Sequence, residues 1–249
     1  MILGKTVGVA ALGVCLSAQS MIPTKAGLVS YADEAYIDNR LVEVSPMHPV
    51  VMNKNAVLRT GAGRAEVLLG PCAAMWIDEN SSLRMVSTAL SDVRIEVVAG
   101  SAVVATGAMV EGNRLTLLLK TSTSSLYHQG AYHFDREPPR VKVLAGKTTV
   151  HWESQDISLS SGRFLLLGTP VNVRKVDKHH VDPLDDWGHG RAAYLAWLAG
   201  QQPENAQQPT LPTMTSHSPT PLANVPKLAA GSAPPSPNSS SSGCGVAAW

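Results

Sequence analysis

Three segments of this chain read almost alike: "RAEVLLG" at 64–70, "RIEVVAG" at 94–100 and "RVKVLAG" at 140–146. Because successive side chains of a strand point to opposite faces, each copy sorts its residues into two sets. Ala65, Val67 and Leu69 share one face, as do Ile95, Val97 and Ala99, and Val141, Val143 and Ala145. The opposite faces open with Arg64 and Glu66, Arg94 and Glu96, and Arg140 and Lys142, which predicts charge pairs held toward solvent. Each copy ends in glycine, at Gly70, Gly100 and Gly146, where the chain is free to turn sharply. None of these glycines carries the Asn-Gly or Asp-Gly signature of a tight hairpin, so all three are expected to be corners leading into another layer. Simple hairpins are expected instead at Gly112-Asn113 and around Ser154-Gln155, with a further turn at Gly162-Arg163.

From Gly27 to Val176 the pattern is strand after short strand, punctuated by Gly, Asn, Asp, Ser and Pro, with no sustained helical period. The expected fold class is therefore all-β: an irregular β-solenoid or a two-layer β structure of strand–glycine rungs. With two Phe and five Tyr, the core must be built mainly of Val, Leu, Ile and Ala.

The two ends read differently. Lys5 precedes an uncharged apolar run from Thr6 to Ala18, too short to span a bilayer comfortably and the right length for a signal-peptide core. Residues 1–26 are expected to be an export signal, cut after Ser20 or after Ala26, with an uncleaved anchor or a lipidated Cys15 as the minor alternative. The mature chain is then expected in the periplasm or secreted, with no transmembrane span. If Cys15 leaves with the signal, Cys72 and Cys244 remain in unlike contexts, so no disulfide framework is expected and Cys72 reads as a small buried apolar residue. Beyond the β domain (27–176), a helix is expected within 177–200. Asp182 is its N-cap, Pro183 its first residue, Asp185 lies near the positive end, and Gly200 is the stop. Trp187, Arg191 and Tyr194 are its expected packing anchors, while Gly188 and Gly190 weaken it. Residues 201–249, dominated by Pro, Ser, Thr, Gln and Ala, read as a disordered tail.

Function classes narrow by exclusion. A net charge of +1 with 16% charged residues leaves no electrostatic footprint for nucleic acid. The chain carries no P-loop, dinucleotide fingerprint, H-E-x-x-H or G-x-S-x-G motif. His128 and His133 are separated by an odd number of positions and diverge in a single strand; His179 and His180 are adjacent and diverge too. No metal, cofactor or catalytic residue is expected, and the chain is not read as an enzyme.

The segments "LRTGAGRAEVLLG", "WIDENSSLRM", "VRIEVVAGSAVV" and "RVKVLAGKTTVHWESQDISLSSGRFLLL", spanning Asn55 to Leu167, resemble the FecR domain. That is the extracytoplasmic module of FecR-type sigma-factor regulators. The helix "DDWGHGRAAYLAWL" is similar to the tail helix of stand-alone exported proteins with this domain. The resemblance implies a protein-interaction or signalling module of the cell envelope whose partner is another envelope protein. Two departures stand out. Only about five residues precede the apolar run, which leaves no cytoplasmic sigma-binding segment, and Gly130-Ala131 stands where the family carries Gly-Thr. The competing expectation is a passive envelope scaffold with a flexible tail.

Overall fold

The structure is a computed structural model that describes residues 25–45, 50–70, 72–109, 111–168, 170–177, 181–200 and Trp249. The expected signal core and nearly all of the expected disordered tail lie outside these residues.

The chain alternates between two sheets. β1 (Leu28–Ala32) lies in the first, β2 (Ala35–Ile37) and β3 (Arg40–Leu41) in the second, and β4 (Val50–Val51) and β5 (Val57–Thr60) in the first and second in turn. Thereafter the exchange is mostly by pairs. β6 (Ala65–Gly70) and β7 (Ala73–Ile77) lie in the first sheet, β8 (Ser82–Ala89) and β9 (Asp92–Ala99) in the second. β10 (Ser101–Thr106) returns alone to the first, and β11 (Leu115–Leu119) and β12 (Ser122–Ser125) join the second. β13 (Gly130–Asp135) with β14 (Arg140–Ala145) is first-sheet, and β15 (Lys147–Trp152) with β16 (Gln155–Ser160) second-sheet. β17 (Arg163–Leu166) and β18 (Asn172–Lys175) close the first sheet, and α1 (Pro183–Gly200) follows. Each sheet has nine strands, in the orders β18-β17-β14-β13-β10-β7-β6-β1-β4 and β16-β15-β12-β11-β9-β8-β5-β2-β3. Of the two forms left open by the sequence, this is the two-layer β structure.

Between the layers lies one apolar core, fed by alternate positions of both sheets. Val67, Met75, Val104, Tyr132 and Val141 enter from the first; Leu58, Leu83, Ile95, Leu117 and Val150 enter from the second. Each large apolar side chain so buried contributes about 1.5–3 kcal/mol, enough for the alternation to fix strand register.

The repeated segments become β6, the end of β9 and β14, and their glycines differ in role. Gly100 (φ 69°) carries the chain from β9 across to β10 in the other sheet, and Gly146 (φ 78°) does the same from β14 to β15. Any side chain would be strained at these dihedrals and would also collide, a Cβ lying 2.0 Å from the Ser81 hydroxyl at position 100 and 2.4 Å from the Gln129 carbonyl at 146. Gly162 lies where β16 of the second sheet leads into β17 of the first. Gly70 is different. It ends a hairpin within one sheet, because β6 and β7 pair antiparallel, with a register shift between Leu68 and Gly70. Gly112-Asn113 is not a hairpin turn either. It lies on the crossover from β10 to β11, and β11 pairs parallel with β9, an arrangement that requires the intervening strand to return through the other layer. The Glu153-Ser154 turn does join a hairpin, β15 with β16.

Candidate functional site: the helix-covered face of the first sheet

Sheet one is covered on both sides: the core lies on one, and α1 lies across the other. Asp182 caps the helix, its Oδ1 accepting from the Leu184 amide at 3.0 Å and its carbonyl from Asp186 at 3.1 Å. Leu184, Gly188 and Ala192, spaced by one turn, are buried against Ala74 and Trp76 of β7, Val103 and Ala105 of β10, and Ala131 of β13. The sheet face is mostly small residues, which lets the helix approach closely. Gly188 serves the same end, since a Cβ there would sit 3.3 Å from the Trp76 ring.

Two charged clusters flank this apolar contact. In the first, Glu66 of β6 is wholly buried and accepts four hydrogen bonds. Arg191 forks onto both carboxylate oxygens at 2.8 Å each, the Trp76 indole donates at 2.7 Å, and the Ser30 hydroxyl donates at 2.7 Å. Arg191 also lies 5.2 Å from the ring centres of Tyr31 and Tyr194, while Arg64 lies 5.5 Å from that of Trp187. Burial works against the Arg191 charge, yet the Glu66 carboxylate outweighs it and raises the guanidinium pKa. Trp187 and Arg191 thus meet the sheet, whereas Tyr194 stacks on Trp197 of its own helix at 6.0 Å.

In the second cluster, His133 of β13 is buried with both ring nitrogens on carboxylates, Nδ1 to Asp185 at 2.5 Å and Nε2 to Asp135 at 3.0 Å. Lys142 of β14 donates to Asp185 at 2.6 Å and lies 3.6 Å from Asp182. Asp135 also accepts from Arg140 at 2.6 Å and from Ser101 at 2.8 Å. Three cations face three carboxylates, so the buried charges cancel. Burial alone would lower the His133 pKa; the hydrogen bonds and charges of Asp135 and Asp185 outweigh it and raise the value to about 9. Asp135 and Asp185 are in turn held below the ordinary carboxylate value against the opposing pull of burial, by His133 together with Arg140 and Ser101 for Asp135 and Lys142 for Asp185.

The ligand atoms of His133, Asp182 and Asp185 lie within 4.8 Å of one another, the spacing of a metal trio. The position a cation would take is already served by the Lys142 ammonium, and both imidazole nitrogens are engaged. The chemistry on offer is therefore ion pairing, with a protonated imidazole that is poorly suited to act as a base at neutral pH. His128 takes no part in this cluster, and His179 and His180 lie outside the described residues.

Two of the three repeated segments depart here from the sequence expectation. Arg94 and Glu96, in the second sheet, do face outward. Glu66 and Lys142, in the first, are 0% and 6% exposed because α1 covers them. Cys72 is buried as expected, but it is disulfide-bonded, which corrects its reading as a simple apolar filler. A usable signal for the second cluster was present: His133 and Asp135 share a strand face, and Asp182 and Asp185 open a helix of matching charge.

The outermost strands are β18 and β4 in one sheet and β16 and β3 in the other. β16 is the longest of these at six residues, four of them exposed. No helix among the described residues is long and apolar enough to cross a membrane.

No family model matches the chain, and no curated protein does. Among solved structures, two crystal structures of a candidate anti-sigma factor from Parabacteroides distasonis ATCC 8503 are similar. One has 14% identity and a TM-score of 0.43 over 58% of this chain; the other has 13% and 0.42 over 60%. The matched region spans 64% of the length of each.

Proposed function

We propose that this chain is an exported, non-enzymatic protein-interaction or signalling module of the cell envelope, akin to the FecR-type sensor domain its rungs resemble, and that it engages another envelope protein by strand addition. The observation that carries this reading is the open edge at β16, a six-residue strand that among the described residues pairs on one side only, with β15. A strand whose outer backbone groups are free binds an extended segment through main-chain hydrogen bonds, and its alternate side chains supply selectivity. The titratable groups favour the same reading. The largest buried charged clusters are spent on holding α1 to the sheet, which leaves them no reacting partner to activate.

The test is site-specific photocrosslinking in the envelope of living cells. A crosslinker at Ser158 on β16 should trap one defined partner stoichiometrically, and one at Arg94 on the outer face of the second sheet should not. Equal, diffuse labelling from both positions would support a passive scaffold instead. Sequencing the mature N-terminus in the same sample tests export separately.

A further inference from the structure

We propose that Lys142 and Asp185 join covalently, as an intramolecular amide between the lysine Nζ and the aspartate Cγ that fastens α1 to β14. The two side chains already touch. Lys142 Nζ lies 2.6 Å from Asp185 Oδ2, and the lysine is 6% exposed, on the face of β14 that α1 covers. An amine and a carboxyl group held in this way react within one molecule, where effective concentrations reach about 10⁵–10⁸ M. Burial favours the product as well, because an uncharged amide loses less on leaving water than an ammonium and a carboxylate do.

The neighbours supply what the step requires. Asp182 Oδ2 stands 3.6 Å from the same Nζ and is the nearest second carboxylate, placed to take a proton from it. His133 Nδ1 lies 2.5 Å from Asp185 Oδ1, the oxygen that stays on the carbonyl carbon. The charged imidazole donates to that oxygen and stabilises the negative charge it carries while Cγ is tetrahedral. The same contacts choose Asp185 over Asp182 as the acceptor, since Asp182 is the farther carboxylate and its Oδ1 is tied to the Leu184 amide.

The step balances without an oxidant, a cofactor or an outside reactant. The resting pair is an ammonium and a carboxylate. One Nζ proton passes to Asp182, the freed lone pair forms the Nζ–Cγ bond, and a second proton leaves Nζ as the Cγ–Oδ2 bond breaks. Asp182 relays both protons to Oδ2, which departs as water. The cluster stays neutral, since three cations against three carboxylates become His133 and Arg140 against Asp135 and Asp182. The new carbonyl accepts from His133, and the new N–H faces Asp182. The link joins residues 43 apart in the chain, and it does not depend on the interaction role proposed above.

Tryptic mapping of the full chain, reduced and alkylated, tests the link. Amidation blocks cleavage after Lys142, so peptide 141–147 should be joined to peptide 179–191 with the loss of one water. Cleavage after Lys142 together with a free 179–191 would overturn the proposal. Lys142→Arg keeps a cation beside Asp185, and in that variant the joined peptide should vanish; its persistence would equally overturn the assignment. Asp182→Asn retains a capping side chain and should slow the link by about 10²-fold or more, followed as joined peptide against time in pulse-labelled chains. An unchanged rate would overturn the proton relay through Asp182.

Discussion

His133 shows how far a partner can override an environment. An isolated imidazole buried this deeply would be neutral, but two carboxylates on opposite ring nitrogens hold it charged to a pKa of about 9. Because that value lies above the ordinary 6.5, the stability His133 contributes is complete below about pH 6.5 and is lost as pH rises through 9. Asp135 and Asp185 act in the opposite sense, contributing above their ordinary 3.8 and losing that contribution as pH falls below it. The domain should therefore be most stable between about pH 4 and 6.5 and weaken toward pH 9. Denaturant midpoints measured across that range should show the alkaline decline in the native chain and a flat profile in His133→Gln. Glu66 presents the companion case, since it is the one carboxylate answering Arg191 and the Trp76 indole. Glu66→Ala would leave a largely covered guanidinium and a buried indole N–H without this acceptor, a loss of about 2–4 kcal/mol by urea denaturation. Glu66→Gln, which keeps an acceptor for Trp76, should lose less.

At the scale of elements, α1 depends on the sheet it covers. Gly188 and Gly190 both cost helix propensity, about 1 kcal/mol each relative to alanine. Only one is repaid by packing. A Cβ at Gly190 meets nothing within 4 Å, whereas a Cβ at Gly188 meets the Trp76 ring, itself held by Glu66 and covered by Trp249. Gly190→Ala should stabilise the protein by about 0.5–1 kcal/mol, while Gly188→Ala should give no gain or a loss, both read from thermal unfolding. The same element explains what was legible in the sequence. Alternation in Val67, Ile95 and Val141 reports the core side of each strand, because burial there is a local property of the strand pattern. Burial of Glu66 and Lys142 is not local. It is imposed by a helix more than a hundred residues beyond Glu66 and some forty beyond Lys142, and nothing in "RAEVLLG" distinguishes a charge under that helix from one in water. Corners follow the same division. Gly100 and Gly146 have the same sequence signature as Gly70, but whether a turn stays in its sheet or crosses is decided by which strand pairs next.

For the molecule as a whole, the core between the two sheets begins at Ala26, and on the proposed exported reading that bears on where the mature protein begins. Ala26 is fully buried in the core between the layers, and its amide lies 3.4 Å from the Thr88 carbonyl. Gly27, at φ 97°, donates to Leu68 at 2.9 Å and accepts from Met52 at 2.8 Å, tying β1 to its neighbours on both sides. A cut after Ala26 would remove a core side chain and place a charged amino terminus at a buried position where the Leu68 carbonyl is its acceptor, a burial that a full charge tolerates poorly. A cut after Ser20 leaves Ala26 in place. On the proposed reading that the chain is exported, burial of Ala26 favours the earlier of the two expected sites. Intact-mass measurement of the exported chain should give a mature protein that begins upstream of Ala26, at Met21 for cleavage after Ser20. A variant whose only processing site lies after Ala26 should be exported but show a lower unfolding midpoint. A native N-terminus at Gly27 with undiminished stability would mean that β1 holds its place without Ala26, and that the packing assigned to this residue contributes little.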